Sequence, residues 1–178
     1  MAEEKKEQWL NYLALSTVIF AVCATLATFK GGGFSTRSVM SQSQASDQWA
    51  FYQAKSIKSY LYQMQKDKLE LELLNLRKGV SDKAISAYKA KIASYKEKTE
   101  TYEIEKTDIQ AKAKSLENIR DEAQLHSKAF GMAVIFLQIA ILMSSIAGLL
   151  KKREVWYLGT AAGLVGLVHF ADGFLVFL

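Results

Sequence analysis

The sequence predicts an all-α membrane protein, with three transmembrane helices and a long antiparallel helical hairpin, a coiled coil, between the first and second. Three observations carry this. Apolar residues gather into blocks at 10–29, 129–150 and 155–178, each about twenty residues or more and so able to cross roughly 30 Å of hydrocarbon. Residues 34–128 are polar and lysine-rich, yet their apolar side chains recur at heptad spacing. The 178 residues contain no proline, so nothing obliges a helix to break. The predicted order is a tail and first span at 1–33, an extramembrane hairpin at 34–128, a second span at 129–150, and a basic loop with the third span at 151–178.

The N-terminal "MAEEKKEQWLNYLALSTVIFAVCATLATFK" places charge before an apolar core, as a signal peptide does. Its core is too long and lacks an A-x-A cleavage pattern, which predicts an uncleaved anchor. Short loops set orientation more strongly than long ones. Lys151, Lys152 and Arg153 therefore put residues 151–154 and the N-terminus, with Lys5 and Lys6, in the cytoplasm. The hairpin is then extracytoplasmic, in the periplasm of a bacterial inner-membrane protein, and Trp9, Tyr12, Trp156 and Tyr157 form an inner aromatic belt. At the other end of the first span, "KGGGFSTR" reads as a flexible exit turn, since three glycines favour neither helix nor order.

In the middle segment Tyr88, Tyr95, Tyr102, Ile109, Leu116 and Ala123 recur every seven residues, with Ile85, Ile92, Thr99 and Ala113 in the companion row. Lys106 and Arg120 interrupt that row. Upstream, Ala50, Ile57, Met64 and Leu71 repeat at the same interval, with Tyr60, Leu61 and Leu74 beside them. Two seams facing one another predict a fold-back. "RKGVSDKA" supplies the turn: Gly79 suits a left-handed helix end, Val80 the flanking contact, and Ser81 a cap for the next helix. Residue numbers of facing pairs should then sum to about 159, so that Leu71 meets Tyr88 and Met64 meets Tyr95. The second helix should run unbroken from Asp82 to the end of the second span, roughly 100 Å at 1.5 Å per residue.

The stretch "QSQASDQWAFYQAKSIKSYLYQMQKDKLELEL", with the upstream "LALSTVIFAVCATLATFKGGGFSTRS", resembles a bacterial membrane-protein family catalogued as domain of unknown function four-three-three-seven. The resemblance extends over nearly the whole chain, and "SDQWAFYQAKS" is its most specific part. It implies an architecture of one N-terminal span, a Lys/Glu-rich helical middle and two closing spans, with no assigned activity and no functional residues. Physically that block reads as a helix start, capped by Ser46 with Asp47 complementing the helix dipole. Trp49, Phe51 and Tyr52 would form an aromatic collar, packing two helices or docking a partner.

Few residues offer chemistry. The triple glycine lacks the preceding strand and Gly-Lys-Ser/Thr ending of a phosphate loop. His126 and His169 belong to no His-x-x-x-His or Cys-x-x-Cys spacing, and the single cysteine, Cys23, lies inside the first span. No Gly-x-Ser-x-Gly elbow surrounds any serine. These absences predict a protein that is not an enzyme, with no cofactor and no metal. The net charge of +5 comes from interspersed Lys and Glu rather than a one-sign patch, which argues against nucleic acid.

The strongest polar lead is "LVHFADGFLVFL", where His169 and Asp172 share one helix face inside a span. With Lys30, His126 and Lys128 they predict a polar cluster at one membrane boundary, either structural or a proton or ion path. Small residues at helix-packing intervals mark Thr17, Ala21 and Thr25 in the first span, Ala140, Ser144 and Gly148 in the second, and Gly159 and Gly163 in the third. Gln138, mid-span, should face another helix. The expected function is structural or interactive, through self-assembly in membrane lipid as a homo-oligomer. The alternatives are an accessory subunit of a larger membrane complex and an ion-conducting oligomer.

Overall fold

The computed structural model describes the backbone of residues 2–75 and 81–177, with side chains from residue 8 onward. Among these residues the chain is all-helical: α1 (Ala2–Leu74), α2 (Asp82–Leu150) and α3 (Arg153–Leu175). Each is long and apolar enough to cross a membrane. α2 is unbroken over its 69 residues, as the absence of proline predicted. Ser81 caps it by accepting the Ala84 N–H at 3.3 Å. The expectations for Gly79 and Val80 lie outside the described residues.

Two expectations for α1 fail. Gly31, Gly32 and Gly33 do not release the chain from the helix, and Ser46 does not start a new one; both stretches lie inside α1. Glycine in a helix costs about 1 kcal/mol relative to alanine. Here Gly31 is packed: a Cβ there would stand 3.0 Å from that of Phe130. Its carbonyl also accepts from the Ser127 hydroxyl at 3.3 Å.

The chain divides into two compact units, unit 1 (Met1–Met40, Ile119–Leu178) and unit 2 (Ser41–Asn118), to which α1 and α2 both contribute. Unit 1 is a three-helix packing around Phe20, Ala24, Ala27, Phe130, Ala133, Leu137 and Ala140. Its third helix is a glycine seam. A Cβ at Gly166 would stand 2.8 Å from Leu137 Cγ, one at Gly173 2.7 Å from Phe130 Cδ1, and one at Gly159 3.0 Å from Met143 Cβ. A Cβ at Gly163 would run into the tip of the Phe20 ring. The turn into α3 is tight: Lys151 takes a left-handed φ of 53°, and the Lys152 N–H reaches back to the Ala147 carbonyl at 3.2 Å. Trp9 and Trp156 rings meet at 6.3 Å, and the Trp156 indole donates to Ser16 Oγ at 3.2 Å.

In unit 2 the 41–74 part of α1 packs on the 82–118 part of α2, low numbers on one against high numbers on the other. The α2 face is the predicted one, with Ile109 and Ala113 buried and Tyr88, Tyr95 and Tyr102 half-buried. The α1 face is not. Ile57, Met64 and Leu71 are about 60% exposed, and the contacts come instead from Ser41, Ala45, Gln48, Tyr52, Lys55, Ser59, Tyr62, Lys66, Leu69 and Leu73. That run also keeps heptad spacing, one register away from the apolar one. The chemistry of α2 accounts for it: its tyrosine rings meet Tyr62 and the Lys55 ammonium, and the Tyr88 hydroxyl donates to Glu72 at 3.4 Å, contacts that Ile, Leu and Met do not offer. Tyr62 sits between Tyr95 and Tyr102, at 5.6 and 5.8 Å between ring centroids. Ser59 donates to Glu103 at 2.8 Å, Lys55 pairs with Glu105, and Lys98 lies 4.9 Å from the centre of the Tyr62 ring.

Candidate functional site

The polar residues singled out in the sequence separate into two groups, one in each unit. In unit 1, α3 ends at Asp172, which is 5% exposed. Its backbone carbonyl accepts the Val176 N–H at 2.7 Å, and its carboxylate Oδ1 accepts the Phe177 N–H at 2.7 Å. Val176 turns left-handed, with φ 48°. Asp172 therefore closes α3, a place where the last carbonyls and the following N–H groups otherwise lack partners.

His126, on α2, reaches the same helix end. Its Nδ1 lies 2.8 Å from the Gly173 carbonyl. A carbonyl only accepts, so this nitrogen carries the proton. The ring is held by stacking on Phe34, with centroids 4.5 Å apart and planes 15° apart. Phe34 in turn faces Phe130 at 6.0 Å, and Phe130 meets Phe174 edge-on at 5.0 Å. His126 and Asp172 thus share the end of α3, locked by an aromatic stack that the sequence reading did not single out. The signal was present as Phe34, Phe130 and Phe174, but only tertiary contact joins residues so far apart in the chain.

His169 is placed elsewhere, stacked on Phe136 at 5.8 Å. Lys30 and Lys128 are exposed. Lys128 lines a shallow groove with Ser35, Ser38, Val39, Gln124 and Ser127, and a neighbouring groove runs along Gly31 and Gly32 to Gly131. Among the packing residues, Ala140 and Ser144 face Gly159, while Gly148 has open space where a Cβ would be. Gly166 and Gly173 belong to the same seam and were missed, because they fall outside the "GTAAG" motif. In the first span the buried stripe is Phe20, Ala24 and Ala27; Ala21 and Thr25 are exposed, and Thr25 spends its hydroxyl on the Ala21 carbonyl at 2.9 Å. Gln138 does not face another helix of its own chain: it is exposed.

In unit 2 the aromatic collar is split. Trp49 donates from its indole to Glu117 at 2.9 Å and meets Tyr52 edge-on at 5.6 Å. Phe51 points outward, 50% exposed. Two charged groups titrate away from their usual ranges here. Lys106 hydrogen-bonds Glu103 and, with help from Ser59, holds its carboxyl below the ordinary value; the same bond raises the Lys106 ammonium. Among the described residues no three His, Cys, Asp or Glu side chains gather as a metal site would require.

The match that places the chain is at family level. A family model described as Domain of unknown function (DUF4337) covers residues 9–176. The chain belongs to this family. No curated protein and no solved structure matches it. Its matched range takes in both units, so the glycine seam and the tyrosine-lined helix pair lie within the family domain.

Proposed function

We propose that this member of the family is a non-enzymatic, membrane-anchored structural protein that assembles with copies of itself. The observation that carries the reading is Gln138. It lies inside the apolar 129–150 stretch of α2 and is exposed, so the packing of its own chain leaves its amide open. An unsatisfied polar group in hydrocarbon costs several kcal/mol, so a neighbouring helix that offers a hydrogen bond is strongly preferred. An amide both donates and accepts, which makes the Gln138 of a second copy a suitable partner.

The rest of unit 1 supports an anchor. Only 17% of the most apolar window of α1, and 28% of those of α2 and α3, is buried, leaving a largely apolar outer surface suited to lipid. In this reading unit 2 is the helical hairpin, an antiparallel coiled coil between the first and second spans. The basic turn at Lys151, Lys152 and Arg153 keeps it and the N-terminus cytoplasmic and the hairpin extracytoplasmic. Trp9, Trp156 and Tyr157 then sit at the inner boundary.

Light scattering in mild detergent tests the proposal. A particle containing several copies of the 19.9 kDa chain supports it, and Gln138→Leu should shift that particle toward one copy. A lone monomer overturns it. Stoichiometric foreign subunits would instead make the chain an accessory of a larger complex. Conduction through His169 and Asp172 is the other reading; it predicts proteoliposome flux that Asp172→Asn abolishes. The hydrogen bond that the Asp172 carboxylate accepts from the Phe177 N–H favours the structural role.

A further inference from the structure

The apolar heptad of α1 has no partner within unit 2. Ala50, Ala54, Ile57, Leu61, Met64, Lys68 and Leu71 alternate at spacings of four and three, a coiled-coil stripe of about three heptads. All seven are exposed: Ile57 by 61%, Leu61 by 50%, Met64 by 59% and Leu71 by 60%. They lie across the helix from Tyr52, Ser59, Lys66 and Leu73, which face α2. The helix therefore carries two seams, and the fold uses the more polar one.

We propose that the outer seam is the docking surface for α1 of a second copy of this chain, paired in parallel and in register. The inference rests on the self-assembly reading and names its extramembrane contact. Two features select this occupant. The first is direction: copies anchored by the same span cross one bilayer with the same polarity, so each seam residue meets its own counterpart.

The second is charge. The stripe has one polar position, Lys68, and a single lysine at a core position fixes register in coiled coils. In the parallel pair two Lys68 ammonium groups would approach. Each is flanked by Asp67 and by Glu72, the latter already 3.9 Å from it within its own chain. The acids of both chains thus surround both lysines. A seam of about three heptads is short for free chains, but spans that hold copies together raise its effective concentration.

Disulfide trapping in membranes tests this, with Cys23→Ala as background. Single substitutions Ile57→Cys, Leu61→Cys, Met64→Cys and Leu71→Cys should each give a product of twice the 19.9 kDa mass on oxidation. Ile104→Cys, equally open at 68% exposed but on α2, should give little. Lys68→Glu should abolish trapping at Leu71→Cys, while Lys68→Arg retains it. An antiparallel pair would trap only near one centre and would overturn the assignment. So would equal trapping at Ile104→Cys, or cross-linking to a protein of different mass. If light scattering shows an oligomer and the seam cysteines stay reduced, the seam is wrong and the assembly stands; a monomer in that measurement removes the assembly itself.

Discussion

In unit 1 helices meet through glycine and aromatic rings; in unit 2, stretches of the same α1 and α2 meet through tyrosines, serines and ion pairs. On the proposed membrane placement, with unit 1 in lipid and unit 2 in water, the difference follows from what surrounds each unit. Lipid tails are as apolar as leucine, so helices in a bilayer gain little by hiding apolar surface and must gain by close contact. Gly159, Gly163, Gly166 and Gly173 permit that contact along one face of α3. In unit 2 the same two helices could have packed Ile57, Leu61 and Met64 between them. They pack instead the residues that meet the tyrosine rings and the Tyr88 hydroxyl, and leave an apolar stripe open.

The comparison breaks most sharply at the contacts of unit 1. Phe130 is fully buried and touches Phe34, Phe170 and Phe174. Phe130→Ala should cost up to about 3–5 kcal/mol, the range for such truncations in water, with less if lipid removes the transfer term. Gly166→Val should cost about 1–3 kcal/mol, because its Cβ would meet the Leu137 backbone nitrogen at 3.0 Å as well as the side chain. Gly131→Ala, with open space around it, should be neutral or stabilising by about 1 kcal/mol. Thermal unfolding in detergent ranks the three. Equal effects at Gly166 and Gly131 would mean that close packing does not hold α3.

Unit 2 should respond more weakly and through polar groups. Trp49→Phe keeps an aromatic ring, though a smaller one, and removes the donor to Glu117, for a loss of about 1 kcal/mol from the hydrogen bond. Ile57→Ser, on the open stripe, should change the stability of a single chain by less than about 0.5 kcal/mol. Urea unfolding of dilute, detergent-dispersed protein compares them. A larger cost for Ile57→Ser than for Trp49→Phe would place the apolar stripe inside the chain after all.

The apolar blocks and the missing proline were enough to read three apolar helices and an unbroken α2, since both act locally and strongly, while the continuity of α1 was not read. The α2 seam was legible for the same reason: Tyr88, Tyr95 and Tyr102 stand alone at their interval. The α1 seam was misread because pattern alone ranks Ile57 and Met64 above Ser59 and Tyr62 as core. The choice between two registers depends on the partner face, which no single-helix pattern contains. The glycines failed differently. Gly31 to Gly33 look like a helix end by propensity, and Gly31 is overruled by a contact with Phe130, nearly a hundred residues away. Asp172 was read with His169 as a structural pair or an ion path; that its carboxylate also binds the backbone five residues on was not read, a cap visible only once Val176 is seen to turn left-handed.

The smallest expected effect isolates the electrostatics of unit 2. Lys106 donates to both oxygens of Glu103, at 2.9 and 2.8 Å, and Ser59 donates to one of them. The Glu103 carboxyl is lowered from 4.5, so its contribution is present above that value and is lost as pH falls through the lowered one. The Lys106 ammonium is raised from 10.5, so its contribution is complete below that value and fades as pH rises past the raised one. Between those limits the pair should hold unit 2 at constant strength. Glu103 is 54% exposed, which limits the pair to the scale of surface ion pairs, about 0–1 kcal/mol. Amide protection factors along 95–110, that is, exchange rates corrected for their intrinsic pH dependence, should fall toward acid in the native chain, and Glu103→Gln should flatten that acid limb while leaving unit 1 protection unchanged. An acid limb that persists in Glu103→Gln would assign it to another carboxylate, with Glu105, paired to Lys55, next to be substituted.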